Sequence, residues 1–176
     1  CESAGRPPVP LTPAGLVVGD PDTGGVAPEL PAARAEGFGI HKVFYRGSRY
    51  VGRRPDGTHS RSGPGSRDDV LGWFAGRGFE AGSMLHLACH GVVQTDPATM
   101  SSYLLLAGGD RLRAEELVRT MADHPERAIA LVVLAACRSG VSPHGYDEAY
   151  SLGTAFLATG VRAVLSTQWS IPDRDT

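Results

Sequence analysis

The sequence predicts an α/β fold, with a mostly parallel central sheet covered by helices on both faces as a three-layer α/β/α sandwich. Two observations carry this. Short apolar runs rich in Val and Leu end in Gly-containing turns at Leu16–Gly19 (LVVG), Ser83–Gly91 (SMLHLACHG) and Ala130–Gly140 (ALVVLAACRSG). Runs of this kind read as buried parallel strands. Stretches with helical spacing separate them, which gives the order β-α-β-α-β-α-β-α-β and a sheet wrapped on both sides.

The bulk properties fit that class. A chain of 176 residues, 41% apolar and 20% charged, is large enough to bury a core and too apolar to remain disordered. A net charge of −2 gives no global pull toward nucleic acid or a membrane surface. The longest apolar run, Ala128–Cys137, is too short to span a bilayer. The Pro-rich N-terminus lacks the apolar core of a secretory signal. Three cysteines, one of them terminal, make no disulfide framework. The expected setting is reducing and cytoplasmic.

Residues 1–14 read as a linker, since Cys1–Pro13 is rich in Pro, Gly and Ser without periodicity. Residues 15–176 read as one domain. After the first strand comes the turn GDPDTGG, which lacks both GxGxxG and the Lys-Ser/Thr of a phosphate-binding loop. Pro28–Gly37 is expected as a short helix and Lys42–Tyr45 as the second strand. Arg46–Arg67 carries six arginines among Gly and Ser and reads as a solvated, mobile loop, with a docking surface for an acidic partner as the functional alternative. Ser66 has the place of an N-cap, with Asp69 three residues on. The helix it opens carries Val70, Trp73, Phe74 and Arg77 on one face and ends at Gly78.

The strand Met84–His90 follows, then a small hairpin from Tyr103–Leu106 and the turn Ala107–Asp110. A helix at Arg113–Asp123 places Ala114, Leu117, Val118 and Met121 on one face, and Pro125 stops it. After the Ala130 strand, a helix at Asp147–Thr159 buries Ala149, Leu152, Gly153 and Phe156, with Gly160 as its cap. Val161–Trp169 is the last strand.

In open α/β sheets ligands bind beyond the carboxyl ends of the strands. Two of the buried strands end there in reactive side chains, His90 and Cys137. A cysteine nucleophile needs a base to take its proton and donors for the oxyanion it creates. One helix lies between the two residues, a spacing that makes their strands neighbours through an ordinary crossover. Gly91, with no Cβ, lets its N–H approach a substrate. The amides of Gly91 and Cys137 are the candidate oxyanion hole. His86 shares strand parity with His90 but lies deeper, as a hydrogen-bonded core residue. Cys89 has the opposite parity and reads as core. His86, Cys89, His90 and Cys137 are all zinc-ligand types, but their spacing matches no common zinc pattern, so no metal is expected.

The stretch Ala-Ala-Cys-Arg-Ser-Gly at 135–140 resembles the caspase signature, in which the histidine lies about 50 residues upstream of the cysteine. The likeness extends along the chain through LVVGDP, LPAARAE, HLACHG, SYLLL, LRAEEL, LVVLAACRSG and DEAYSLGTAFLATGVRAVLSTQW, then Ile171-Pro172-Asp173. Taken in this order, the set resembles the CHAT domain, the caspase-like protease domain found with TPR repeats in bacteria and related to separase. The resemblance implies a caspase-like fold, a His90–Cys137 dyad and endopeptidase activity on a protein substrate, with no metal or organic cofactor. It also implies a setting in bacterial defence or regulated cell death, and a TPR or other regulatory partner outside this chain. The family domain continues past the last motif, so the chain is expected to be truncated at its C-terminal end.

Asp173 and Asp175 follow the last strand. By resemblance to separase-like relatives they form the floor of a pocket for a basic residue, with Trp169 as a wall. Arg138 and the Arg46–Arg67 segment leave open the caspase-like choice of an acidic residue. The alternative function is a catalytically silent, caspase-like module that binds peptides in the same pocket. A glutaminase triad is disfavoured, because there the histidine follows the cysteine, and here only His144 does so.

Overall fold

The computed structural model describes residues 8–77, 82–94, 101–136 and 152–166. Five strands form a parallel sheet in the order β2-β1-β3-β7-β8. They are β1 (Gly15–Gly19), β2 (Arg49–Gly52), β3 (Met84–Ala88), β7 (Leu131–Ala135) and β8 (Ala163–Ser166). The helices are α1 (Pro31–Val43), α2 (Arg67–Phe74), α3 (Ala114–Asp123) and α4 (Leu152–Ala158). A second, antiparallel sheet joins β4 (His90–Gln94), β5 (Ser101–Leu105) and β6 (Arg111–Arg113) in that order.

Side-chain alternation along the strands sorts the core into two layers. Leu16, Val18, Val51, Leu85, Leu87, Val132 and Leu134 pack with Trp73 and Phe74 of α2, Leu117 and Met121 of α3, and Leu152 and Phe156 of α4. On the other face Val17, Tyr50 and Met84 meet Phe38 of α1. The three layers are therefore α1, the parallel sheet, and α2 with α3 and α4. This is the predicted α/β sandwich, and it is consistent with a caspase-like fold. All of β3 is buried, as a strand covered on both faces must be.

The α2 start is as the sequence implies. Ser66 accepts from the Asp69 N–H and Asp69 reaches back to the Ser66 N–H, a complete capping box. Val70, Trp73 and Phe74 are buried. The helix ends at Phe74 rather than Gly78, which lies outside the described residues, and Arg77 is exposed. On α3, Leu117 and Met121 are buried while Val118 is 40% exposed, so the apolar face is narrower than the pattern suggests. Gly160 follows α4 with φ 96°, the left-handed conformation expected of a helix-ending glycine.

Three expectations are corrected. The expected Pro28–Gly37 helix runs from Pro31 to Val43 and takes in the start of the expected Lys42–Tyr45 strand. The N–H groups of Phe44 and Tyr45 both turn back to the Ile40 carbonyl, and Val43 and Phe44 remain exposed. The second strand instead lies within the arginine-rich segment, where Tyr50 and Val51 are buried. That segment is also not simply a solvated loop. Arg49 pairs with Asp69, Arg53 with Asp22, and Arg67 with Glu116. Finally, the expected Met84–His90 strand is broken. It ends at Ala88, and His90 begins the antiparallel sheet.

Candidate active site

The strand order reverses between β1 and β3, because β2 lies on one side of β1 and the later strands of the parallel sheet on the other. Crevices at such a point, beyond the carboxyl ends, are where α/β sheets bind ligands. Three described segments converge here. Asp20 follows β1, Arg53 follows β2 and His90 follows β3. The Asp20 N–H donates to the Ala88 carbonyl at 2.8 Å and ties two strand ends together. Asp20 adopts φ 42°, uncommon for a residue with a Cβ, and so turns the chain sharply out of the sheet.

The Asp20 side chain is buried and charged. Arg34, from the inner face of α1, donates through Nε at 2.9 Å and lies 2.7 Å away through Nη2. Arg34 also pairs with Glu29. Arg53 Nη2 lies 2.8 Å from Asp22 Oδ1, and its Nη1 lies 3.5 Å from Glu29 and 3.7 Å from Asp20. Arg34 and then Arg53 hold the Glu29 carboxyl below its usual range. Two arginines and three acids thus pin the 20–30 segment onto the sheet edge. The Thr23 hydroxyl adds a turn within it, bonded to both the N–H and the carbonyl of Ala27 at 3.1 Å. The acids of GDPDTGG are therefore paired with arginines, and no phosphate-binding loop is built there.

This braced segment presents the Pro28 carbonyl to His90, whose Nε2 lies 2.8 Å from that oxygen. A carbonyl only accepts, so Nε2 carries a proton, and in the neutral tautomer this selects, Nδ1 holds the lone pair. Gly91, next on β4, pairs in register with Leu104. Cys89, between the two strands, is buried and makes no described disulfide. Burial, and then the Asp20 charge, push its thiol up to about 12, so it is core and no nucleophile.

His86 is buried as expected, with desolvation pulling its pKa down to about 4. A hydrogen-bonded residue is expected here; its Nε2 has no hydrogen-bond partner among the described residues, and Glu36 Oε1 lies 4.0 Å away. The break at Cys89 also means that strand parity does not relate His86 to His90. Among the described residues no group of three or more His, Cys, Asp or Glu side chains is arranged to hold a metal.

β3 and β7 are parallel neighbours, with Ala88 opposite Ala135. Cys137, Arg138, Trp169, Asp173 and Asp175 lie outside the described residues, as do Asp147, Glu148 and Ala149. The sequence reading missed Asp20, Arg34 and Arg53. The available signal was an arginine flanked by alanines on an otherwise small, apolar helix face, with an acid directly after a buried strand to receive it.

No described helix is long and apolar enough to cross a membrane. A family model for the CHAT domain matches residues 1–176. No curated protein and no solved structure matches the chain. The chain belongs to the CHAT domain family, whose members are caspase-like.

Proposed function

From membership of that family, we propose that this CHAT domain is a cysteine endopeptidase in which His90 activates Cys137. The observation that carries the reading is the pairing of β3 with β7. Ala88 and Ala135 are register partners, and His90 and Cys137 each follow them by two positions in sequence. The His90–Pro28 contact supports the role of base, because it commits Nε2 and leaves Nδ1 to accept the thiol proton.

In this mechanism Nδ1 of His90 takes the Cys137 proton and the thiolate attacks the scissile carbonyl. The amides of Gly91 and Cys137 hold the oxyanion, each such donor being worth about 3 kcal/mol in the barrier. The imidazolium then protonates the leaving amine, and water hydrolyses the thioester. Asp173 and Asp175 form the floor of the pocket for the residue before the cut, with Trp169 as a wall, so an Arg or Lys is preferred there, while Arg138 is the residue that would favour an acidic one. Three arginines of the 46–67 segment are already paired with acids, which leaves that segment less suited to choosing an acidic residue. The substrate is a protein, regulation comes from a TPR or similar region outside this chain, and the setting is bacterial defence or regulated cell death.

The test is cleavage of a peptide library and labelling by a peptide carrying a thiol-reactive electrophile, using the chain with its regulatory region. Cleavage after basic residues, lost in both Cys137→Ala and His90→Ala, is expected. Cleavage that survives Cys137→Ala removes the nucleophile assignment. Peptide binding without labelling favours the catalytically silent module.

A further inference from the structure

On the opposite side of β1 from His90, at the β2 edge of the sheet, there is a cavity of about 200 Å³. Its walls include Phe38, His41 and Lys42 from α1, Arg49 and Tyr50 from β2, and Arg54 from the segment after β2. Four of these side chains are basic types, and no carboxylate is among the described lining residues. We propose that this cavity binds a small phosphorylated molecule. Its phosphoryl group lies between Lys42 and Arg54, and its organic part lies against Phe38 and Tyr50.

Charge favours a dianion. Arg49 is already committed to Asp69 at 2.7 Å and to the Ser62 carbonyl through Nε at 2.8 Å. His41 is held as a neutral wall, its pKa lowered by burial and then by Lys42. Its Nδ1 lies 2.8 Å from Ser48 Oγ, and that hydroxyl gives its own proton to the Tyr45 carbonyl at 2.6 Å, so Nδ1 is the donor. Lys42 and Arg54 remain, and neither forms an ion pair with a described carboxylate. Asp56 lies within electrostatic range of Arg54 without a direct ion pair, so both cations keep donors for a phosphoryl group, which carries about −1.5 to −2 near neutral pH.

Shape sets the size and the apolar part. The cavity volume is about 200 Å³. It is smaller than the roughly 300–1,000 Å³ of drug-sized sites, which suits a phosphoryl group with a small organic body. Phe38 and Tyr50 meet edge to face at 5.2 Å, forming a fixed aromatic wall. Lys42 Nζ sits 5.3 Å from the Phe38 ring centroid, which holds the ammonium at the rim. The Tyr50 hydroxyl is engaged with the Arg53 carbonyl, so Tyr50 contributes its ring to the cavity wall and no spare donor. No residue of β3, β4 or β7 lines the cavity, so the site stands independently of the peptidase reading.

The experiment is calorimetric titration of the full chain with phenyl phosphate, inorganic phosphate and phenol. Saturable one-to-one binding of phenyl phosphate, weaker binding of inorganic phosphate and none of phenol are expected. Lys42→Gln and Arg54→Gln should each weaken phenyl phosphate by about tenfold, the loss of one charge-assisted contact. Arg61→Gln, an exposed arginine outside the lining, should leave the affinity unchanged. Circular dichroism checks that each variant is folded. Absence of saturable binding overturns the proposal, and so does an equal loss in Arg61→Gln, which would reflect general charge attraction.

Discussion

Arg34 and Asp20 meet at 2.7 Å inside the protein, with 6% and 2% of their side chains exposed. Removing one member of a buried pair leaves the other charge desolvated and costs about 3–5 kcal/mol. Arg53, 3.7 Å from the same carboxylate, offsets part of that. Arg34→Ala should therefore fall at the lower end of the range in urea unfolding. Arg34→Lys should recover less than half of the loss, because an ammonium cannot reproduce the two-pronged contact. A loss under about 1 kcal/mol in Arg34→Ala would show that the pair does not brace the 20–30 segment.

His86 gives the fold a pH dependence of definite sign. Its folded pKa of about 4 lies below the ordinary 6.5, so between these values the unfolded chain holds a proton that the native one lacks. Its stabilising contribution is complete above about pH 6.5 and lost as pH falls toward 4, up to about 3 kcal/mol. Glu36, whose carboxyl is raised by burial, acts in the opposite direction as pH rises through its ordinary 4.5. Comparing wild type with His86→Leu by chemical denaturation at pH 7 and pH 4.5 isolates the imidazole. The variant should lose less stability than wild type over that interval.

Cys89 should be silent toward alkylation. With its thiol at about 12, fewer than about one molecule in ten thousand is thiolate at pH 7.5, and the side chain is 2% exposed. Peptide mapping after iodoacetamide treatment should find Cys89 unmodified in native protein and modified in urea. Rapid labelling of the native protein at Cys89 would contradict the packing around it.

The two halves of the α2 capping box should differ in cost. Ser66→Ala removes one acceptor and should destabilise by about 1 kcal/mol. Asp69 accepts from the N–H groups of Gly65 at 3.1 Å and Ser66 at 3.0 Å and also holds Arg49 at 2.7 Å. Asp69→Ala should cost more than Ser66→Ala, and thermal melts of the two variants check the order.

What could be read from the chain depended on how local the cause was. LVVG and MLHLA declare themselves because both faces of each strand are buried and nearly every residue is apolar, and LVVLA because one face is buried and the other half-buried. Ser66 and Asp69 cap a helix three residues apart, within one turn of chain. The strand Arg49–Gly52 was hidden because Arg49 within it and Arg53 just after it find their acids far away in sequence, so that ion-paired residues look like solvated ones. The break at Cys89 was hidden for a similar reason. Nothing within MLHLACHG reveals that His90 has a partner in Leu105 rather than in the parallel sheet. Pro28 holds His90 through a backbone carbonyl, a contact that leaves no mark on side-chain identity.

That break hands His90 from the parallel sheet to the antiparallel one. The parallel sheet draws its packing from side chains up to Ala88, while the imidazole rides on a hairpin secured by Leu105 and its neighbours. Yet Leu104, at the register position facing Gly91, is fully buried in the same cluster as Leu85, Leu87 and Phe156. The aim of the imidazole and the integrity of the interior therefore depend on the same buried leucines, and a change at one is felt at the other.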